Sequence, residues 1–579
     1  MLNVYIPLTL TAGLALWALV FRRRSVFANI QGPPPSRRFL TGHLRKFLGR
    51  RGWEYQLELA SGKYGQVVKI DGAFGNKWLY VVDPVALNHI ILKGQNVYEE
   101  SPLFLAINRL LFGPSVLSTV GDHHKQQRKL LNPVFSTNHM RHMLPIFYRI
   151  TERLRDTLAE MTVDGPRTID MLGWTTRAAL EMVGQGGLGH SFDSLEADST
   201  NAYAENMKSF APTFFPMILV RQLLPQLINI GTPRIRRWIV EYTPHWRVQK
   251  LKRIIDSMHT VACSIFEGKK AAFAQGDDAV VQQIGEGKDI VSKLLQANFA
   301  TSEKDRLPDE EVLAQLSALV LAAMDTTSSA LGRTLRILAE HPEAQSRLRK
   351  EVTDALENAD GGRLSYDELM GLPYLDAICR ETLRVYPPLV GLGRVTLKDT
   401  ILPVGTPLKG TDGSLISEIH VPKGTMIYFG ILGSNRNPAL WGPDAHEWKL
   451  YYYYYYHSIP MCHICACAYT AKNKLQKAHE WKPDRWLSPL PDAVMSAPIP
   501  GVYSHLMTSN GGGRSCIGFK FSQMEMKVVL STLVRHFALE VPRDLPVPIV
   551  WSSAGIQSPS LGYESDKPEL PLKIGLVKA

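Results

Sequence analysis

The chain has 579 residues, of which 45% are hydrophobic, and it carries a formal net charge of +11 at pH 7. This length can bury a large core, and the positive charge favours contact with an anionic surface such as acidic lipid, an acidic protein or nucleic acid. Six cysteines without a regular spacing argue against a small, disulfide-stabilised secreted protein and favour a reducing compartment.

The first predicted element is an apolar segment over residues 2–21, which contains no charge and is followed at once by the triple arginine of residues 22–24. It is long enough to cross a hydrocarbon core of about 30 Å as a helix. A cleavable signal peptide would carry its positive charge before the apolar run instead. The sequence therefore predicts a membrane anchor over residues 1–24, with the arginines on the cytosolic side.

The next segment contains Gly-Pro-Pro-Pro at residues 32–35, which cannot continue a helix. We therefore predict a proline-rich hinge and linker over residues 25–45, followed by one large domain over residues 46–579. Residues 66–70 and 77–82 of this domain are rich in β-branched and aromatic side chains and are predicted to pair as strands.

Most of the remaining chain has helical spacing. The longest predicted helix begins at Pro308, has three acidic residues in its first turn and ends at His341-Pro342. A second helix is predicted over residues 374–386 and a last one over residues 519–537. The predicted fold class is mainly α with small β-sheets, and no internal repeat indicates a solenoid.

A glycine-rich loop carries the first chemical signal, because residues 509–527 read SNGGGRSCIGFKFSQMEMK. Consecutive glycines allow a tight turn and a close backbone approach to a flat ligand. Cys516 precedes a predicted helix, where N–H groups favour a thiolate, and Arg514 adds positive charge. Such a thiolate suits the axial position of a haem iron; the alternative is a buried structural cysteine.

The long helix carries a second signal, Ala-Ala-Met-Asp-Thr-Thr-Ser-Ser-Ala at residues 322–330. Unsatisfied buried polar groups cost about 1–3 kcal/mol each, so a polar cluster inside an apolar helix is either functional or satisfied locally. The local alternative is a hydrogen bond from each hydroxyl to the carbonyl one turn earlier.

Together these segments resemble the cytochrome P450 family. The loop matches the haem-binding signature Phe-x-x-Gly-x-Arg-x-Cys-x-Gly with Gly512, Arg514, Cys516 and Gly518 in the matching positions, and Ser509 stands where Phe is usual. The resemblance implies a cytochrome P450-like fold and a haem b group bound through the thiolate of Cys516, with Arg514, Gly512 and Gly518 in its binding loop.

The resemblance also gives the long helix a role in oxygen activation. It implies that Asp325 and Thr326 form the acid-alcohol pair that relays protons, and that Ala322 and Ala323 leave room for dioxygen and substrate. Ala323 stands where glycine is common.

Three further residues match a structural network of the family. Glu381 and Arg384, in Glu-Thr-Leu-Arg, match its Glu-x-x-Arg helix, and Arg485, in Pro-Asp-Arg-Trp, would complete the network. An acid and an arginine three residues apart are more often a weak surface pair, so this assignment rests on the resemblance.

Three other residues are implied to bind the haem propionates. His124 and Arg128 match the family's Trp-x-x-x-Arg pattern with His in place of Trp, and they share one helix face. Arg394 matches the arginine that follows the Glu-x-x-Arg helix. Arginine suits bidentate contact with a carboxylate, although solvated surface charge is the alternative.

The implied function is a monooxygenase that inserts one oxygen atom from O2 into a small apolar substrate, most like microsomal fungal members, in which secondary metabolism is the expected setting. The expected partners are NADPH–cytochrome P450 reductase, cytochrome b5 and the endoplasmic reticulum membrane, with the domain facing the cytosol and no nucleic acid bound. A haem-thiolate isomerase or dehydratase is the alternative, and the presence of Asp325 and Thr326 argues against it.

One segment does not fit this pattern. Residues 450–482 contain six consecutive tyrosines and then Cys462, His463, Cys465 and Cys467, which leaves a zinc-binding module as a third alternative. The cluster lacks the two separated ligand pairs that are usual in zinc modules. The pentapeptide Ala-His-Glu-Trp-Lys occurs at both edges, at residues 445–449 and 478–482. We therefore predict that residues 450–482 are an anomalous insertion.

Overall fold

The computed structural model describes residues 26–192, 195–196, 202–276, 279, 284, 287–301, 306–442, 481–553 and 555–577. The predicted membrane anchor lies outside the described residues. So does the predicted insertion, apart from Trp481 and Lys482.

Helices dominate the described chain. In chain order we number them α1 Leu44–Phe47, α2 Gly52–Ala60, α3 Pro84–Asn88, α4 Pro102–Phe112, α5 Gly121–Leu131, α6 Thr137–Met161, α7 Met171–Met182, α8 Ala202–Phe214, α9 Ile218–Leu227, α10 Pro233–Tyr242, α11 Trp246–Gln275, α12 Ile290–Ala300, α13 Asp309–Glu340, α14 Pro342–Glu357, α15 Tyr366–Gly371, α16 Pro373–Val385, α17 Ile431–Asn435, α18 Pro438–Trp441, α19 Asp492–Ser496 and α20 Phe519–His536.

The strands are short and form small sheets. They are β1 Val67–Asp71, β2 Lys77–Val81, β3 Tyr98–Glu100, β4 Arg167–Asp170, β5 Leu392–Thr396, β6 Thr400–Lys409, β7 Leu415–Val421, β8 Met426–Phe429, β9 Phe537–Glu540, β10 Ile549–Ser552, β11 Ser558–Leu561 and β12 Pro571–Leu576. The largest described sheet has the order β1-β2-β8-β5-β3; the others pair β4-β12-β9, β6-β7 and β10-β11. The predicted fold class, mainly α with small β-sheets, is confirmed.

Proline and acidic residues set the limits of the long helices. Pro308 is the N-cap of α13, three acids follow in its first turn, and the helix ends before Pro342. Helix α16 begins at Pro373, where the missing N–H costs nothing, and stops before Pro387. The predicted helices 308–341, 374–386 and 519–537 are therefore confirmed to within a residue or two.

The predicted strand pair is also confirmed, because β1 and β2 are antiparallel with Val67 opposite Val81. The linker that precedes them lies against β1: Phe27 and Ile30 are buried, and the Lys69 N–H donates to the carbonyl of Gln31 at 2.9 Å. This part of the predicted linker thus packs on the domain.

Helix α13 forms the centre of the main hydrophobic core and packs against α7, α16 and α20. Among the described residues it is the helix that is long and apolar enough to cross a membrane, yet most of it is buried inside the molecule. It is therefore a core helix, and its central segment is positioned by packing on both sides.

Candidate active site

The glycine-rich loop presents Cys516 from a fixed backbone. The Cys516 N–H donates to the carbonyl of Ser509 at 2.9 Å, so the residue in the unusual position contacts the loop through its backbone. Gly512 has φ of +64°, and a Cβ there would lie 2.4 Å from the carbonyl oxygen of Ile91. Because no other residue fits this approach, Gly512 is required for the loop's path. Gly518 has no such close contact.

The Cys516 side chain has accessible surface, although it lies deep within the molecule. Burial raises the pKa of its thiol above the ordinary value, while a hydrogen bond from the Gly518 N–H and the charge of Arg128 act in the opposite direction. The net effect favours the neutral thiol, in contrast to the thiolate expected from the sequence, so a bound cation would have to supply the missing stabilisation of the thiolate. This donor fits the iron of the implied haem.

Four basic residues cluster beside this loop. Burial, together with the nearby charges of Arg514, Arg128 and Arg394, lowers the pKa of His124 to about 3. His124 is therefore neutral at pH 7, and the three guanidinium groups are close enough to repel a proton from it. The structure thus brings together all four basic residues that the sequence associates with the haem.

Two glutamates offset part of this charge. Arg394 donates to Glu100 Oε2 at 2.8 Å, a pair formed across β3 and β5. Arg514 donates to Glu99 Oε1 at 3.0 Å and to the carbonyl of Thr119 at 2.7 Å. Three arginines against two glutamates leave a positive charge, which fits the carboxylates of a propionate-bearing group.

Arg128 links this cluster to the thiol loop, because its Nη1 donates to the carbonyl of Ser515 at 2.6 Å. The residue next to the iron ligand and the predicted propionate partner are therefore positioned together.

The middle of α13 has an accessible face. Ala322 is exposed and Ala323 and Thr326 are half-buried, whereas Leu321 and Met324 on either side are buried. In a core helix, such a face requires an open space beside it. The Thr326 hydroxyl donates to the carbonyl of Ala322 at 2.8 Å, which is the local hydrogen bond considered as the alternative.

Asp325, the other residue of the predicted proton relay, forms an ion pair with a lysine. It is buried, and its Oδ1 accepts a hydrogen bond from Lys208 Nζ at 2.5 Å. Lys208 belongs to α8, is itself buried, and also donates to Ser328 Oγ at 3.2 Å. Sequence reasoning missed Lys208; the available signal was that Lys208 is the single basic residue of α8.

The structure brings the three residues of the Glu381 network together. Glu381 and Arg384 are fully buried and form a bidentate ion pair at 2.8 and 2.7 Å. Arg485 Nε lies 3.7 Å from Glu381 Oε1, and Trp486 Nε1 donates to Oε2 at 3.0 Å. Arg384 also donates to the carbonyl of Asn435 at 3.1 Å. This network joins α16, α17 and the Pro483–Leu487 segment.

Trp481 and Lys482 extend this network. The Lys482 N–H donates to Glu381 Oε1 at 3.0 Å, and Trp481 Nε1 donates to Thr382 Oγ1 at 3.1 Å. The Trp481 ring also stacks on His341 at 5.4 Å between centroids. Both residues come from the second copy of the repeated pentapeptide.

The Cys/His cluster of the zinc alternative lies outside the described residues. Within the part of the chain that is described, no group of three or more His, Cys, Asp or Glu side chains could hold a metal ion.

Comparison with known proteins agrees with this geometry. The cytochrome P450 family matches residues 32–451 and 469–564. Cytochrome P450 monooxygenase 91 of Postia placenta is 49% identical over 550 residues, covering 95% of this chain and 94% of the relative. Cytochrome P450 monooxygenase 81 of the same fungus is 45% identical over 579 residues, covering 100% and 98%.

A third relative, ganoderic acid synthetase CYP5150L8 of Ganoderma lucidum, is 40% identical over 565 residues, which cover 96% of each chain. The family match spans the thiol loop, the accessible segment of α13 and the Glu381 network. The chain therefore belongs to the cytochrome P450 family of haem-thiolate monooxygenases.

Proposed function

We propose that this monooxygenase is anchored by residues 1–24 to the endoplasmic reticulum membrane, faces the cytosol and oxidises an apolar organic substrate with electrons from an NADPH-dependent reductase. The observation that carries the proposal is the accessible thiol of Cys516 inside the molecule, beside an excess of positive charge. A zinc module would need neither feature.

The haem, when bound, supplies the iron at which oxygen is activated. Cys516 would hold that iron, and Arg128 and His124 would hold the propionates, with Arg394 and Arg514 adding positive charge. His124 is neutral at pH 7, so it would act as an N–H donor and would not contribute a charge.

Asp325 and Thr326 would move protons into the site. Lys208 Nζ donates to Asp325 Oδ1, which would hold the acid on the interior side of α13, next to Thr326 in the chain. The Thr326 hydroxyl can rotate away from the carbonyl of Ala322, so the same oxygen can accept one proton and donate another. Lys208 would fix the orientation of the acid in this relay.

We expect Thr326→Ala to separate NADPH oxidation from product formation, because the relay loses the hydroxyl that delivers the proton. The fraction of NADPH that appears as product should fall about tenfold or more. Parallel measurement of NADPH consumption, hydrogen peroxide and product provides the test, with the reductase supplied.

Thr334→Ala is the matched control for this variant. Thr334 makes the same type of hydrogen bond, to the carbonyl of Ala330 at 2.8 Å, two turns further along α13, and it is fully buried. Its loss should not alter coupling. Unchanged coupling in Thr326→Ala would refute the proton relay.

The surface of α5 supports a proposal for the electron donor. His124 and Arg128 of this helix face the interior, whereas Lys125 and Lys129 are exposed on its outer side. An acidic partner that docks on these lysines would stand close to the cofactor cluster. This arrangement supports NADPH–cytochrome P450 reductase as the donor, with cytochrome b5 as a second acidic donor for the same surface.

Membrane contact is supported by a surface formed by α9, α10 and the residues around them. We call it the α9–α10 surface; its exposed large apolar side chains are Leu219, Val220, Leu223, Leu227, Ile230, Ile235, Trp238, Ile239, Tyr242 and Trp246. Helix α10 has no buried residue, and it carries Arg234, Arg236 and Arg237 beside its apolar side chains. Apolar side chains with flanking arginines are typical of helices that lie in a membrane interface.

The α9–α10 surface is tested with the full chain in vesicles that contain brominated phosphatidylcholine. Bromine quenches tryptophan within its reach, so Trp238, which is 60% exposed, should be quenched in the wild type. Trp238→Phe should remove a distinct share of the quenched fluorescence, whereas Trp551→Phe, at a buried position, should not. Equal quenching of the wild type and a Trp238→Phe/Trp246→Phe double variant would exclude membrane contact by this surface.

The substrate is proposed to be apolar, because the accessible side chains of α13 next to Thr326 are alanines. One relative is named ganoderic acid synthetase, so precursors of ganoderic acid belong in the first set of compounds to be assayed, beside fatty acids and aromatic compounds.

A further inference from the structure

Helix α9 exposes apolar side chains and buries an arginine, which is the reverse of the usual arrangement. Leu219, Val220, Leu223 and Leu227 are each at least 40% exposed, whereas Arg221 of the same helix is only 6% exposed. A helix on a protein surface normally buries its leucines and exposes its arginine. Membrane contact by the α9–α10 surface explains the leucines, but it does not explain why the arginine lies inside.

The environment of Arg221 is aromatic and lacks a counter-charge. The guanidinium carbon lies 5.1 Å from the ring centroid of Phe214 and 4.5 Å from that of Phe215. Nη1 donates to the carbonyl of Phe215 at 3.2 Å, and Nε is buried without a hydrogen-bond partner. Among the described residues, no carboxylate pairs with this side chain.

Arg221 remains a cation under these conditions. Burial lowers the pKa of its guanidinium to about 10, while Tyr428 acts in the opposite direction, so the group stays protonated at neutral pH. A buried cation without a negative partner is costly, and the carboxylate of a bound ligand would offset that cost.

The contacts of Arg221 lie on elements that connect to α13. Phe214 ends α8, the helix that brings Lys208 to Asp325. Phe215 packs so closely on Gly555 that a Cβ there would lie 2.2 Å from the ring. The Gly555 turn is tied to α13, because Ser329 Oγ donates to the carbonyl of Gln557. Helix α9 also packs on α4, which in turn contacts α13.

We propose that Arg221 binds the carboxylate of the substrate, and that this enzyme therefore prefers apolar carboxylic acids. The proposal rests on the proposed monooxygenase function and specifies its substrate class. The apolar body of the acid would extend from Arg221 toward the alanines of α13, and the carboxylate would occupy the unsatisfied Nε side of the guanidinium. The two phenylalanines would exclude water from this ion pair.

The test compares acids with the corresponding alcohols on the full-length haem protein. Dodecanoic acid and dodecan-1-ol form one pair, and dehydroabietic acid and its alcohol form a second pair with a rigid body. Binding is followed by the shift of the haem Soret band at pH 7.5 in a neutral detergent, so that no anionic lipid competes for Arg221. We expect at least one acid to bind tenfold more tightly than its alcohol, which corresponds to 1.4 kcal/mol.

Variants of Arg221 test whether this residue causes the preference for acids over alcohols. Arg221→Gln should reduce the affinity for that acid about tenfold and leave the affinity for its alcohol unchanged, whereas Arg221→Lys should retain part of the preference. Arg247→Gln, at an arginine that stacks on Trp246 at 4.8 Å on the surface, is the control and should change neither affinity.

Three outcomes would overturn the assignment. In the first, acids and alcohols bind equally to the wild type; in the second, Arg221→Gln weakens the binding of both equally, which indicates a structural role. Binding of neither acid would also overturn it. The Soret band of the reduced, carbon-monoxide-treated protein separates these results from failure of the proposed function. A red-shifted band shows that the haem-thiolate site is intact, whichever ligands bind.

Discussion

Cys516→Ala should abolish the red-shifted Soret band that thiolate-ligated haem gives after reduction and treatment with carbon monoxide. The thiol is the sulfur that the glycine-rich loop presents to the interior, and alanine offers the iron no donor. Product formation should fall to the background, because electron donation from the thiolate favours O–O cleavage. Absorbance spectra and turnover measured on the same preparation check both results.

Cys263→Ala is the control for this variant, because Cys263 is half-buried on α11 and contacts His259 instead of the loop. Its spectrum should be the same as that of the wild type. A Cys516→Ala protein with an unaltered band would show that the ligand lies elsewhere. Recovery of zinc in place of haem from the wild type would contradict the whole assignment.

Glu381→Gln should destabilise the fold and release haem. The substitution leaves Arg384 fully buried without its counter-charge, and it also weakens the acceptor for Lys482 N–H and Trp486 Nε1. Removing one partner of a buried ion pair costs about 3–5 kcal/mol. Urea titration, followed by haem absorbance and tryptophan fluorescence, should give a lower midpoint for both signals.

Asp484→Asn in the same Pro483–Leu487 segment is the matched control. Asp484 pairs with Arg347 at 2.6 Å, but both side chains are about half or more exposed, at 68% and 49%. Such surface pairs contribute about 0–1 kcal/mol. If the two variants shifted the midpoint equally, the network around Glu381 would have no special part in stability.

The Glu381 pair also predicts a pH dependence. Burial alone would raise the pKa of Glu381, but the charge and hydrogen bonds of Arg384 and the Lys482 N–H lower it below its ordinary value of 4.5. A depressed pKa means that this stabilisation is fully present above pH 4.5 and is lost as the pH falls through the lower, folded-state value. The wild type should lose this stability on acidification, and Glu381→Gln should show a flatter acid profile.

Local signals in the sequence were enough to predict the main helices. The limits of α13 and α16 follow from Pro308, Pro342, Pro373 and Pro387, because proline acts on the backbone within one or two residues of its own position. The thiol loop was predictable for the same reason: its glycines and its cysteine are close together in the chain.

The pairs that complete the site could not be predicted in this way. Lys208 and Asp325 are separated by 117 positions, and Glu100 and Arg394 by 294. Each pair forms only after separate elements pack together, and a single sequence carries no signal for such a long-range contact. The burial of Arg221 is a further example, because the composition of α9 indicates the opposite orientation.

The contacts of Trp481 and Lys482 have a consequence for the proposed insertion. These residues end the second copy of Ala-His-Glu-Trp-Lys, and removal of residues 450–482 would join the first copy directly to Pro483. Removal of residues 445–477 would leave the same sequence. The family match also omits residues 452–468. A peptide that spans Lys449 and Leu450 would establish that the longer chain is made; it requires a protease that cleaves after glutamate, because trypsin cuts after Lys449.

The duplicated pentapeptide therefore makes the two chain lengths equivalent at the Glu381 network. In either version a Glu-Trp-Lys sequence precedes Pro483, so a tryptophan is available to stack on His341 and donate to Thr382, and a backbone N–H is available for Glu381. Because the inserted segment ends with a copy of the pentapeptide that precedes it, the residues next to Pro483 are the same with or without the segment. Gain or loss of this segment therefore leaves the contacts to Glu381, Thr382 and His341 unchanged, and selection for these contacts does not distinguish the two chain lengths.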